Sequence, residues 1–145
     1  VRAMSRDEWW AFAQEGTRTG KVAVVTGRGA PHVTPVWFVL TDEGPGDAVV
    51  FSTGAETVKG RALRRDPRVS IAVDDERPPY SFVQFTAEAE LVDDVAALRP
   101  WAVRLGGRYM GEEQAEEFGL RNAVPGEMLV IARITRVVAY AALAE

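Results

Sequence analysis

Five cations crowd ten consecutive positions: Lys59, Arg61, Arg64, Arg65 and Arg68. Only Glu56 and Asp66 oppose them between residues 51 and 70, so this window carries a net +3 in a chain of net charge −4. Ser52 and Thr53 stand just upstream. Thr53 with Glu56 fits the S/T-x-x-E capping box, which predicts a helix start there. Hydroxyls, free N–H groups at a helix start and a run of cations together suit an anion. A solvated amphipathic helix accounts for the same pattern equally well.

Other chemistry is sparsely represented. The chain has no cysteine and one histidine, so thiolate zinc sites and iron–sulfur clusters are excluded and no metal site is expected. A Ser-His-Asp triad has only His32 to draw on, and that residue lies beside a turn. Paired acids occur at Asp74/Asp75, Asp93/Asp94, Glu112/Glu113 and Glu116/Glu117, in loops and helix starts where solvated or capping carboxylates are expected. Gly27-x-Gly29 follows a strand, but Pro31 and another strand come next where a dinucleotide site needs a helix. There is no P-loop. No residue is assigned as catalytic. A protein with binding groups and few acid–base groups still does chemistry when a cofactor carries it.

The elements that would position the island read as follows. A helix over Ser5–Gln14 is opened by a Ser5/Glu8 capping box. Strands follow over Lys21–Thr26 and Pro31–Thr41. Pro35 lacks a ladder donor, so that stretch lies at an edge or bulge and leaves the backbone of Val36 and Trp37 free for a ligand. A plain strand bend fits as well. A third strand over Ala48–Ser52 feeds the basic helix, which Pro67 ends, and a fourth covers Val69–Val73. A fifth strand spans Tyr80–Leu91. Asp93 or Asp94 caps a short helix through Leu98, Pro100 opens another, and Gly106-Gly107 ends it. A short acidic helix at Gly111–Arg121 and a sixth strand at Met128–Ala142 complete the chain. The expectation is one domain over residues 1–145: mainly β (α+β), a mostly antiparallel barrel with peripheral helices. No run of about 18 apolar residues predicts a membrane span. The start, VRAMSRDEWW, lacks an apolar signal region, which points to the cytoplasm. An isoelectric point near 5.1 argues against a nucleic-acid partner.

One order of motifs is specific. Pro35-Val36-Trp37-Phe38, a hairpin, Phe51-Ser52-Thr53, then Lys59-x-Arg61-x-Leu63-Arg64-Arg65-Asp66-Pro67-Arg68-Val69 closely resembles the flavin/deazaflavin split-barrel proteins, the pyridoxamine 5'-phosphate oxidase-like superfamily. Thr57-Val58-Lys59, Pro78-Pro79-Tyr80, Gly107-Arg108-Tyr109-Met110-Gly111 and Val124-Pro125-Gly126-Glu127 are similar to the branch that uses the deazaflavin coenzyme F420. The likeness covers roughly residues 5 to 140, and Lys59–Pro67 is its most specific part. Ala62 departs from it, because relatives often carry Asn there.

The resemblance implies a six-stranded antiparallel split β-barrel that forms a homodimer with cofactor sites at the interface. Lys59 and Arg61 would bind the cofactor phosphate with the Ser52 and Thr53 hydroxyls and nearby amides. Thr57 and Gly60 belong to the same set. Pro35, Val36 and Trp37 would line the deazaflavin. Tyr80, Trp101, Arg104 and Tyr109 are candidates for a wall supplied by the partner subunit, and ordinary dimer packing suits them equally. The implied function is an F420H2-dependent reductase. It would pass a hydride from C5 of the deazaflavin to an unsaturated small molecule, with a proton from solvent or Tyr109. An FMN-binding oxidase or reductase of the same fold, or a non-catalytic F420 or tetrapyrrole carrier, are the alternatives.

Overall fold

The computed structural model describes residues 1–145. Its strands are β1 (Arg2–Ala3), β2 (Gly20–Val25), β3 (Pro31–Val36), β4 (Val39–Thr41), β5 (Ala48–Gly54), β6 (Arg68–Asp75), β7 (Ser81–Val92) and β8 (Glu127–Ala141). Its helices are α1 (Arg6–Gln14), α2 (Val58–Arg65), α3 (Val95–Met110) and α4 (Ala115–Asn122), with a 3-10 turn at Glu112–Gln114. All strands pair antiparallel in the order β3-β2-β6-β7-β8-β5-β4, and β1 adds to β8. This is the expected α+β antiparallel architecture, an open, split barrel with helices around it. The six expected strands become eight for two reasons. The N-terminus contributes β1, and the long second strand breaks at Trp37–Phe38 into β3 and β4. No helix is long and apolar enough to cross a membrane.

That break makes the barrel. β3 and β4 are the two edges of the sheet, yet only two residues separate them in the chain. The edges are therefore held close by covalent connection while no ladder joins them. Pro35 sits on β3, at an edge as its missing N–H requires.

Two apolar clusters follow from the sheet's alternation. Inside the barrel lie Val22, Val24, Phe38, Val49, Phe51, Ile71, Val73, Val83, Phe85 and Val130, with Trp9 of α1. Behind β5 and β8, Val50 and Leu129 meet Leu98, Ala102 and Leu105 of α3. β5 is apolar on both faces because it separates the two clusters.

Several local expectations shift. Ser5 caps α1 as predicted, accepting from the Glu8 N–H at 3.3 Å while Glu8 Oε1 accepts from the Ser5 N–H at 3.2 Å. The second capping box does not form. Thr53 remains in β5 opposite Met128, and α2 begins four residues later under Thr57, whose Oγ1 accepts from the Gly60 N–H at 3.0 Å. The ladder with β8 satisfies the backbone that a helix at Thr53 would have left unpaired. The two helices expected either side of Pro100 are one, α3, and it runs through Gly106-Gly107 to Met110. Those glycines are packing sites. A Cβ on Gly106 would stand 2.7 Å from Cβ of Phe118, and one on Gly107 would stand 2.7 Å from Glu112 Oε1. At Gly106, contact with α4 offsets the roughly 1 kcal/mol that a glycine costs a helix.

Two neighbours in the last turn of α3 fasten the Trp37–Phe38 break. Tyr109 Oη accepts from the Phe38 N–H at 3.1 Å and donates to the Arg18 carbonyl at 2.7 Å. Arg108 donates to the carbonyls of Phe38 at 2.6 Å, Ala13 at 2.8 Å and Gly16 at 3.0 Å. Burial pushes the Tyr109 phenol pKa up and the Arg108 guanidinium down, so both groups depend on these partners. Two variants probe the packing. Tyr109→Phe strands the Phe38 N–H and should cost about 1–3 kcal/mol. Gly60→Ala, whose Cβ would overlap the Gly54 carbonyl oxygen, should cost a similar ~1–3 kcal/mol by overpacking. Both are read as lower urea midpoints at unchanged m-value.

Candidate functional site

A cleft of about 400 Å³ opens where the β3–β4 break, the end of β5, the start of α2 and the inner faces of α3 and α4 converge. Its lining includes Pro35, Val36, Trp37, Ser52, Thr53, Thr57 and Lys59. Seven of the thirteen residues singled out from the sequence thus meet in one hollow. The break supplies the first wall. Trp37 lies outside both strands, and its backbone N–H and C=O make no hydrogen bond within the chain. The Trp37 ring is held from the side by Tyr109, stacked at 5.1 Å and 3°, and by Phe118 at 5.9 Å.

The second wall is the β5–α2 connection. Thr53 is 5% exposed, and its Oγ1 meets Thr57 Oγ1 at 3.1 Å. Thr57 Oγ1 also donates to the Gly54 carbonyl at 2.8 Å, which folds the end of β5 tightly onto the start of α2. Gly60 is buried and allows that approach. It contributes by fit and does not itself line the cleft.

Lys59 is the charged centre. Its amine donates to Thr34 Oγ1 of β3 at 2.9 Å and forms no ion pair, although it is half-buried. Burial holds its pKa below the ordinary lysine value, and the nearby Glu127 carboxylate opposes that shift. Burial likewise pushes Glu127 up, with Lys59 acting the other way. A desolvated ammonium with one neutral partner retains two N–H donors for an incoming oxyanion. This lining fits a phosphate-bearing ligand: it combines a cation, the unpaired backbone of Trp37 and apolar Val36, Ala102 and Leu105.

The remaining sequence-selected residues stand elsewhere. Arg61 lines a separate hollow with Arg28 and Arg65, because residues two apart on a helix do not share a face. Tyr80 is 43% exposed at the start of β7, with a φ of 62°. Trp101 and Arg104 stack on each other at 4.3 Å outside the cleft. Tyr109 stands behind Trp37, with its hydroxyl proton committed to the Arg18 carbonyl.

Seven further residues line the cleft and were not among those candidates: Gly54, Ala102, Leu105, Arg121, Asn122, Val124 and Glu127. Ala102 and Leu105 follow Trp101 and Arg104 by one position, about 100° around the helix. Trp101 and Arg104 therefore lie on the face of α3 away from this protomer's cleft. Val124 and Glu127 lie in the Val-Pro-Gly-Glu motif, which was a usable signal. Arg121 and Asn122 carry none.

Comparison with known proteins places this fold. Among curated proteins no sequence matches significantly. A conserved hypothetical protein from Mycobacterium tuberculosis is 28% identical, with a TM-score of 0.79 over 94% of this chain and 84% of its own. An F420 reductase is 23% identical, with a TM-score of 0.62 over 88% of this chain and 94% of its own. A heme binding protein from Mycobacterium smegmatis is 23% identical, with a TM-score of 0.65 over 97% of this chain and 55% of its own. The profile of the pyridoxamine 5'-phosphate oxidase family matches residues 6–137, nearly the whole chain, and the protein belongs to that family.

Proposed function

We propose that the protein is an F420H2-dependent reductase whose cleft holds the deazaflavin coenzyme. The observation that carries this reading is the half-buried Lys59 ammonium, unpaired with any carboxylate, in one cleft with the unpaired backbone of Trp37 and apolar Val36, Ala102 and Leu105. Lys59 would hold the coenzyme phosphate, with the Thr57 end of α2 beside it. Pro35, Val36 and Trp37 would border the ring system. The reduced coenzyme supplies a hydride to an electron-poor double bond such as an enone or quinone. The chain's own contribution is to bind and orient the coenzyme. The second hydrogen arrives as a proton from solvent, since the Tyr109 proton is already engaged. The F420-branch motifs named above support the choice of coenzyme.

A tetrapyrrole in this cleft has less support. Heme iron takes His, Cys, Met or Tyr as axial ligand, and none of these lines the cleft. FMN is the closer rival, because the same lysine serves either phosphate. A homodimer, with the cleft at its interface, would complete the wall left open here.

Fluorescence titration against F420 and FMN side by side tests the proposal. F420 should bind, and Lys59→Ala should weaken it about tenfold or more, as loss of a charge-assisted contact requires. F420 affinity unchanged by Lys59→Ala, or binding of FMN alone, would sink this assignment.

A further inference from the structure

The face of α2 turned away from the cleft carries a second hollow of about 320 Å³, and it is more strongly basic than the first. Arg61 and Arg65 are four apart on α2 and so share a face. Arg28 approaches them from the β2–β3 turn, which is closed by the Gly29 N–H donating to the Thr26 carbonyl at 2.8 Å and the Thr26 N–H donating to Ala30 at 3.0 Å. The rest of the lining is Thr26, Gly27, Val58 and Ala62, so no carboxylate is present.

None of the three arginines forms an ion pair, in contrast with their neighbours. Glu56 is 3.6 Å from Arg64, and Asp66 is 2.7 Å from Arg68, which holds the Asp66 carboxyl down at about 2. The local acids are therefore committed to the other two arginines of the basic run. Gly27 has a matching role. A Cβ there would stand 2.5 Å from Nη1 of Arg65, so the glycine leaves that guanidinium room against the turn. Three like charges converge on one hollow of an acidic chain. Their mutual repulsion is relieved when a multivalent anion sits between them.

We propose that Arg28, Arg61 and Arg65 form an oxyanion-binding site outside the cleft, suited to a small phosphate ester or diphosphate. Guanidinium forks match the planar pairs of oxygens on such groups, and three of them favour a ligand with more than one negative charge. The site is independent of the identity of the cleft ligand, since it shares no residue with the cleft.

The test is an NMR titration of the 15N-labelled full chain with inorganic pyrophosphate, against sodium chloride at matched ionic strength. Saturable shifts are expected in the Nε–H signals of Arg28, Arg61 and Arg65 and in the Gly27–Gly29 amides. Arg61→Gln with Arg65→Gln should weaken binding about tenfold or more, and these exposed side chains can be exchanged without loss of fold. Lys59→Ala should leave the arginine shifts in place. The proposal is overturned if chloride reproduces the shifts, if the double variant binds as tightly as the parent, or if Lys59→Ala abolishes them.

Discussion

The peptide of Phe38 is the point on which the architecture turns. Its N–H donates to Tyr109 and its C=O accepts from Arg108, both from the last turn of α3. A strand broken between the two sheet edges exposes backbone groups, and burying them without partners would cost several kcal/mol. Here side chains from a helix 70 residues away in sequence replace the missing ladder. That replacement lets the chain leave one edge of the sheet and rejoin at the other within two residues. Arg108 also gathers the carbonyls of Ala13 and Gly16, so the end of α1, the break and α3 are fixed by one guanidinium. Such a group is costly to bury, and three carbonyls at 2.6 to 3.0 Å are what keep it there.

The cleft is a consequence of that fastening. Because Phe38 is held, Trp37 is left between strands with its own backbone unpaired and its ring seated on Tyr109. Across from it, β5 must turn into α2 within a few residues. Thr57 makes the turn by bonding both the Gly60 N–H and the Gly54 carbonyl. The short helix then faces two ways. Lys59 looks into the cleft, while Arg61 and Arg65 look out on the β2–β3 turn. One basic run in the sequence thus becomes two basic surfaces in space.

How much of this could be read from the sequence depends on whether local chemistry or long-range pairing decides the position. The Ser5 cap was legible because nothing competes for that segment. The Thr53 box was equally good as a motif and failed because Thr53 already had a ladder partner in β8, a contact no local pattern reveals. Pro35 correctly announced an edge, since its missing donor is a property of the residue itself. Gly106-Gly107 misled because glycine's helix cost is local, while the benefit of Gly106 against Phe118 of α4 is tertiary. Among the candidate site residues, those on β3, β5 and the start of α2 meet in one cleft. Trp101 and Arg104, which the resemblance offers for a partner's cleft, lie one position from Ala102 and Leu105, the α3 residues that line this one.

Glu127 explains why the cleft keeps a charge that burial disfavours. Desolvation pushes the Lys59 and Glu127 pKa values toward their neutral forms, and each group's field pulls the other back. Neither comes close enough to form an ion pair, so the lysine is stabilised without being consumed. A carboxylate in contact would have had to be displaced before any anion could bind. One held at longer range only lowers the local potential. The register that pairs Gly54 with Glu127 across β5 and β8 brings this carboxylate to the cleft wall.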